Sequence, residues 1–299
     1  MGTGTKDFGE TPKIGEMGVV AGGLYVVATP IGNLADTSFR ARAVLSQVDA
    51  ILCEDTRVTG LYCQALGIDR PKESFHQHNA MKRVEAIINR LKAGQTLALV
   101  SDRGLPTVSD PGRELVQACR DAGIWVSVVP GPSAVTTAFA GSGYSHPFVF
   151  WGFLPAVGQK RRQALEDVAE SLYTQIFYEA PHRLQSTLAD FERVLGSERE
   201  LTVARELTKP YEEFWSGTVQ SALVASEQGR FRGEMVLVLA PVGPRHPARL
   251  SPASDAFWAA LVALVSEYVD QGLSDAEAIR RVAAQFRVPR RTVYKKVHG

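Results

Sequence analysis

The first half of this sequence repeatedly runs a short apolar stretch into a loop of glycine, proline or small polar residues, and then into helical spacing. The stretches are Leu24 to Ala28 (LYVVA), Ala50 to Cys53 (AILC), Thr96 to Val100 (TLALV) and Trp125 to Val129 (WVSVV). Continuous apolar runs fit strands buried on both faces, as in a parallel sheet. The spacing predicts a helix capped by Ser38 and running through Phe39, Ala43 and Val44. A second helix passes through Leu61 and Leu66 and stops at Gly67. A third covers Val84 to Leu91 and is closed by Gly94. Asp110-Pro111-Gly112 reads as a helix start with Asp110 as the cap, and Pro130 to Ser133 leads into another helix. Strand, loop and helix in repetition is the α/β pattern with a mostly parallel sheet.

The pattern changes near Gly141 to Pro147. Apolar runs follow at Phe148 to Phe153, Gln175 to Tyr178, Glu200 to Val203 and Met235 to Leu239, with helical spacing at Arg161 to Ala169 and His182 to Phe191. This reads as a second α/β domain with a more mixed sheet. Pro241 to Pro252 has linker composition, and beyond it Ala256 to Val269 and Asp275 to Val297 read as helical. The expected organisation is a disordered tail at 1–22, an α/β domain at 23–144, a second at 145–242, a linker at 243–254 and a helical module at 255–299. In that module Phe286 to Pro289 breaks the helix and Arg290 to Val297 (RRTVYKKV) restarts it as a basic one, which resembles a helix-turn-helix.

Composition narrows the class. With 299 residues, 45% hydrophobic and 22% charged, the chain is of ordinary globular type and long enough for about two domains. The net charge of +1 argues neither for nor against a nucleic-acid partner, because local patches matter more than the sum. Cys53, Cys63 and Cys119 are scattered without zinc-ligand spacing, so no metal is expected and a reduced, cytoplasmic protein is. Met1 to Gly18 lacks the apolar run of a signal peptide, and no apolar run approaches the ~20 residues of a membrane span.

In open α/β sheets ligands bind outside the carboxyl ends of the strands. Here those ends carry Thr29-Pro30-Ile31-Gly32-Asn33, Glu54-Asp55-Thr56, Ser101 to Pro106 and Pro130 to Ser133. Glycine lets backbone approach a ligand closely and proline fixes loop shape, so converging loops of this kind suit a small-molecule pocket as well as plain turns. No dinucleotide fingerprint, P-loop, zincin or nucleophile-elbow motif is present.

The ordered set of LYVVATPIGNL (Leu24 to Leu34), CEDTR (Cys53 to Arg57), FHQHN (Phe75 to Asn79), VSDRGLPTVSDPG (Val100 to Gly112), VPGPS (Val129 to Ser133), FWGFLP (Phe150 to Pro155), FYEAPHR (Phe177 to Arg183) and ARELTK (Ala204 to Lys209) is specific. Together these motifs resemble the ribosomal RNA small subunit methyltransferase I family of the tetrapyrrole-methylase-like superfamily. The resemblance covers the chain from Leu24 onward. It implies a tetrapyrrole methylase-like two-domain α/β fold with S-adenosylmethionine between the domains. It further implies 2′-O-methylation of a cytidine ribose in the decoding region of 16S ribosomal RNA in the small ribosomal subunit, and a homodimer.

Carried over motif by motif, Pro30 and Gly32 shape the first cofactor loop, and Asp102, Gly104, Pro106 and Val108 form the central one. Gly131, Pro132 and Ser133 make the next wall, and Phe177, Tyr178, Ala204, Glu206 and Leu207 are the second domain's contribution. The family usually has small residues where this chain has Arg103 and Leu105, which leaves Arg103 pointing away from the cofactor or meeting RNA phosphate.

Methyl transfer to a ribose hydroxyl is an in-line displacement that needs alignment and benefits from a general base. Candidate bases are Glu54, Asp55, Asp102, Asp110, His76, His78 and Glu206, with Asp55 and Glu54 ranked first because they end a strand at the expected site. A capping or loop-bracing carboxylate is the competing role for each. His76 and His78 suit contact with an RNA base, and Arg57 and Arg183 suit phosphate. Arg280, Arg281, Arg287, Arg290, Arg291, Lys295 and Lys296 form a basic cluster with the same capacity. A small-molecule methyltransferase of the same superfamily, or a ligand-sensing nucleic-acid regulator without turnover, fits parts of the same pattern.

Overall fold

The computed structural model describes residues 19–77, 79–241 and 252–299. Most of the expected tail, most of the expected linker and His78 lie outside the described residues. Contacts divide the chain into two units. The first runs up to Ala138 and includes Glu206–Glu212; the second comprises Phe139–Arg205 and everything from Glu213 onward.

The first unit is built on β1 (Leu24–Val27), β2 (Ala50–Cys53), β3 (Lys72–Ser74), β4 (Leu97–Leu99) and β5 (Val126–Val129), in the order β3-β2-β4-β1-β5. Every pairing is parallel, so all five carboxyl ends share one edge. The helices are α1 (Phe39–Gln47), α2 (Thr56–Leu66), α3 (Ala80–Lys92) and α4 (Arg113–Asp121); α5 (Ala134–Ser142) follows β5. Alternation along the strands splits the core in two. Tyr25, Val27, Ile51 and Ala98 pack with Val44, Leu45 and Cys63 from α1 and α2. Leu24, Leu52, Leu97 and Leu99 pack with Ile87, Leu91, Leu115 and Cys119 from α3 and α4. Burying each large apolar side chain contributes about 1.5–3 kcal/mol, and this two-sided burial explains why β1 and β4 read as unbroken apolar runs.

The second unit holds β6 (Phe148–Phe153), β7 (Thr174–Glu179), β8 (Glu200–Arg205), β9 (Glu213–Thr218) and β10 (Met235–Leu239), in the order β6-β7-β10-β8-β9. Only β6 and β7 pair in parallel; the other neighbours are antiparallel. Helices α6 (Gly158–Glu170), α7 (Leu184–Leu195) and α8 (Val219–Glu227) cover a core centred on Phe177, Leu188, Phe191, Leu201, Val203 and Leu237. At the carboxyl end of the chain, α9 (Asp255–Asp270), α10 (Asp275–Gln285) and α11 (Arg290–His298) enclose their own core of Phe257, Leu261, Val265, Ile279, Val282 and Val293. Ser274 and Glu277 form a reciprocal capping box at the start of α10. Arg287 adopts φ 51° in the turn before α11, the conformation that glycine often supplies in helix-turn-helix units. Among the described residues no helix is long and apolar enough to cross a membrane.

Several expectations are corrected. Val19–Gly22 are not a loose tail: Gly22 N donates to Gly94 O (3.1 Å), and Thr96 Oγ1 donates to Val20 O (3.2 Å). Asp110 does not cap α4; the N-cap is Gly112 at φ 124°, because the loop runs on through two more residues before helical geometry begins. Strands β3 and β9 and helix α8 were not anticipated. β3 (KES) is polar and only half-buried at a sheet edge, so it carries neither an apolar run nor alternation.

Candidate active site

The strand-end edge of the first sheet is woven from backbone. After β1, Thr29 and Gly104 form an isolated antiparallel bridge: Thr29 N donates to Gly104 O (2.8 Å) and Gly104 N to Thr29 O (3.1 Å). The Thr29 hydroxyl donates to Ser101 O (3.1 Å) and that of Ser101 to Gly104 O (3.2 Å). These latches fix the loop after β4 against the loop after β1. Gly104 is buried at φ 82°. A Cβ on Gly131 would lie 2.9 Å from the Ala28 Cβ, so the loop after β5 can close on β1 only with glycine there. A Cβ on Gly32 would lie 2.7 Å from Lys209 Cγ and 3.0 Å from Leu207 O, which brings the 206–212 segment against the first loop.

Backbone strain concentrates here. Among the described residues, non-glycine positive φ occurs at Thr107 (74°), Ser109 (65°), Glu206 (50°) and Thr208 (65°), with Arg287 the one instance elsewhere. Such conformations cost of order 1–3 kcal/mol each and persist where surrounding structure enforces them, often at functional sites. Lys209 pairs with Glu206 (3.0 Å), and Thr208 N donates to the Glu212 carboxylate (2.6 Å), which holds the strained segment in place.

Beside these loops lies a cavity of about 250 Å³ lined by residues that include Pro30, Gly32, Tyr62, Ser101, Asp102 and Arg103. Asp102 Oδ1 accepts from Asp55 N (3.2 Å), joining the ends of β2 and β4. The neighbouring carboxyls differ sharply. Glu54 is pushed up to about 7, by burial first and then by the charges of Asp110 and Asp102. Asp110 is raised to about 6 by burial and by Asp102, against a lowering hydrogen bond from Ser101. Asp55 is held down to about 2 by Arg57. It caps α2 by accepting from Arg57 N (2.8 Å), and the Arg57 guanidinium donates to both its oxygens (3.1 and 2.7 Å). Of the two acids ranked first, Glu54 therefore has the proton affinity for acid–base work near neutral pH, while Asp55 is committed to its cap.

The remaining sequence-derived residues fall into clear groups. Pro30, Gly32, Asp102 and Gly104 are brought together in the first loops; Gly131, Pro132 and Ser133 form the turn into α5 beside them. Pro106 is buried in the β4 loop, where Val108 N donates to Leu105 O (3.4 Å). Leu207 and Glu206 belong to the segment against Gly32, whereas Ala204 is fully buried inside β8. Phe177 is fully buried in the second unit's core, stacked on Trp151 (6.4 Å). Tyr178, on the opposite face of the strand, is half-buried. Arg183 donates to Leu154 O (2.5 Å) beside the buried Glu179. His76 N donates to Asn79 Oδ1 (2.9 Å) in the turn before α3. Arg103 is exposed, as are Arg290, Arg291, Lys295 and Lys296 on α11. Sequence reasoning missed Thr29, Ser101 and Lys209; each sits inside a quoted motif but acts through a contact distant in sequence.

The profile of the family described as Tetrapyrrole (Corrin/Porphyrin) Methylases matches residues 23–223. "Ribosomal RNA small subunit methyltransferase I" of Synechocystis sp. is 44% identical over 91% of this chain and 96% of its own length. The protein of the same name from Bacillus subtilis is 42% identical over 92% of this chain and 94% of its own. Among solved structures, the methyltransferase CobJ superposes with a TM-score of 0.57 at 18% identity, over 74% of this chain and 97% of its own. Uroporphyrin-III C-methyl transferase from Thermus thermophilus complexed with S-adenyl homocysteine gives 0.53 at 19%, over 73% and 97%. The structural likeness speaks to the fold, and the sequence identity reaches further: the chain belongs to the tetrapyrrole methylase family, among the ribosomal RNA small subunit methyltransferases I, and is a methyltransferase.

Proposed function

We propose that this enzyme transfers a methyl group from S-adenosylmethionine to the 2′-oxygen of a cytidine ribose in the decoding region of 16S ribosomal RNA. The observation that carries the reading is the 44% identity, across nearly the whole chain, to a protein named for small subunit ribosomal RNA methylation. The first unit's loops fit the donor. Burial first, and then neighbouring carboxylate charge, raises Glu54 and Asp110, so the edge favours a ligand bearing positive charge, as a sulfonium and an α-amine do. The 250 Å³ hollow is small for a whole ligand of that size and suits one part of it.

When bound, S-adenosylmethionine supplies a methyl group activated by its sulfonium. The chain's own residues then have three tasks. The latched Thr29–Gly104 loops hold the donor in one orientation, which preorganises an in-line transfer. Glu54 would accept the proton of the 2′-hydroxyl, whose oxygen gains the methyl carbon as the carbon–sulfur bond breaks and the thioether S-adenosylhomocysteine leaves. The exposed cations of α11 grip RNA phosphates. Turnover should rise as pH passes through about 7, where Glu54 loses its proton, and Glu54→Gln should abolish that inflection while still binding the donor. The sign for stability is opposite. A carboxyl raised in the folded state adds stability below its ordinary range and loses it as pH rises to about 7, so the variant should lack that loss.

The same reading places the enzyme in the cytoplasm as a homodimer acting on the small ribosomal subunit; three buried free cysteines are compatible with a reducing compartment. Donor-dependent labelling of small subunits, free RNA, DNA and tetrapyrroles, followed by mass-spectrometric mapping of the labelled nucleoside, tests it. A labelled cytidine ribose in the small subunit is the expected result; a labelled tetrapyrrole or a labelled base overturns it.

A further inference from the structure

The parallel pair β6 and β7 ends in an aromatic cluster that the mechanism does not use. Phe153 is 53% exposed. Its ring lies 5.5 Å from that of Tyr178, which in turn meets Phe150 edge-on at 4.9 Å. Regular alternation would not put Phe150 and Phe153 on one face. A bulge does so: the register steps from Phe150 opposite Ile176 to Gly152 opposite Phe177 and Phe153 opposite Tyr178, with Gly152 at φ 67°. Bulges of this kind re-aim side chains. An apolar ring turned outward by a dedicated backbone irregularity has no role in the core, which lies on the other face with Trp151 and Phe177.

The loop that follows is held rigid. Arg161, 8% exposed, donates to Pro155 O (3.0 Å), to Thr187 Oγ1 (3.1 Å) and to Asp190 Oδ2 (2.8 Å). Thr187 donates onward to the buried carboxylate of Glu179 (2.5 Å), and Arg183 to Leu154 O (2.5 Å). Exposed basic residues follow this frame in the chain. Lys160 and Arg162 are exposed in the first turns of α6, which has no acidic residue in its first turn, and His182 is exposed just past β7. Cations at a helix N-terminus oppose the macrodipole and weaken the helix. An anionic partner would offset that cost, since the dipole also attracts it.

The geometry points to Phe153, walled by Tyr178, as a stacking platform for an unpaired base of the RNA substrate, with Lys160 and Arg162 as further phosphate contacts of the same RNA. Single-stranded RNA is recognised by splaying bases onto aromatic faces, with cations on its phosphates, and the second unit carries an outward aromatic ring and exposed cations in the turns that follow it. The inference deepens the ribosomal RNA reading and rests on it. Phe153 acts on substrate binding; the donor does not depend on it.

The test compares wild type with Phe153→Ala, Phe153→Leu and Phe153→Trp, using small ribosomal subunits and S-adenosylmethionine. Phe153→Ala and Phe153→Leu should raise KM for the subunit roughly 5- to 150-fold, the range set by loss of one base stack. Phe153→Trp should restore it, since it keeps a π-face and Leu does not. Donor affinity by calorimetry should stay within about twofold in all three. Lys160→Ala with Arg162→Ala should lower the salt dependence of subunit binding. An unchanged KM in Phe153→Ala, or rescue by Leu equal to that by Trp, overturns the platform. A loss of donor affinity matching the KM change overturns it too, because the ring would then be stacking on the donor's adenine. A wild-type enzyme that binds the donor but neither binds nor methylates the subunit overturns the substrate reading itself, an outcome distinct from a silent Phe153 variant.

Discussion

The strand ends of the first sheet take their shape from backbone, whereas those of β6 and β7 take theirs from buried charged side chains. In the first, Gly104 and Gly112 lie at φ 82° and 124°, Thr107 and Ser109 share that region, and Gly131 presses on Ala28. In the second, Arg161 satisfies two side chains and one carbonyl at once, and Arg183 a second carbonyl. An edge made by backbone contact tolerates no added atoms but demands few particular side chains. An edge tied by a buried cation tolerates small changes of volume but not loss of the charge.

The widest separation between the two should come from Arg161→Met, which keeps length and removes charge. It leaves the Thr187 hydroxyl and Pro155 carbonyl without their donor and Asp190 with Arg193 alone. Breaking one side of a buried pair costs about 3–5 kcal/mol, read as a lower urea midpoint. A loss below about 1 kcal/mol, the scale of an exposed pair, would mean that the network is slack and the contrast with the first sheet false. Next comes Gly112→Ala. Its Cβ would sit 2.4 Å from Leu99 Cδ2 at φ 124°, so overpacking of a fully buried leucine adds to left-handed strain. About 2–4 kcal/mol is expected, with the loop after β4 disturbed and donor binding weakened along with stability.

What the sequence disclosed follows the same division. The parallel sheet was legible because two-sided burial writes itself as LYVV, AILC and LAL, and the loop glycines were legible because a close backbone approach excludes other residues. The buried ion network was not. Lys160, Arg161 and Arg162 form a single basic run, and only the fold buries the middle one. Nor did FWGFLP announce a bulge that turns Phe153 outward, since Gly152 reads equally as a turn. Phe177 and Tyr178 are adjacent in one motif, yet strand alternation sends the first into the core and the second to the opposite face, a distinction that a motif match alone does not make. Asp55 and Glu54 likewise stand together in CEDTR, and only the fold, by burying Glu54 near Asp110 and Asp102 and pairing Asp55 with Arg57, separates a capping carboxylate near 2 from one near 7.

A smaller effect, and one that sharpens the role of the backbone edge, is expected for Asp102→Ala. This edge depends on few side chains, and Asp102 is one of them: its carboxylate joins β2 to β4 through Asp55 N and lines the cavity. Donor affinity should fall roughly 10- to 100-fold, the equivalent of losing a charged hydrogen-bond partner, while the thermal midpoint moves little. Undiminished affinity by calorimetry would remove Asp102 from the donor site and leave it a brace between strands.

The smallest change separates conformational strain from crowding. Gly67 ends α2 in the left-handed region at φ 69°, and a Cβ built on it would meet nothing within 4 Å. Gly67→Ala therefore adds strain without collision, and about 1 kcal/mol of stability should be lost, with donor affinity and turnover unchanged. Gly112→Ala, at φ 124° and ψ −14° outside the αL region, carries greater strain plus the collision with Leu99, so the difference between the two variants sets an upper bound on the cost of packing at the first sheet's edge. If the two cost the same, the backbone there is free to shift by the few tenths of an ångström needed to admit a methyl group. The close weave of loops would then be a consequence of turn geometry alone, and the strain at Thr107 and Ser109 would have to be enforced by something other than packing.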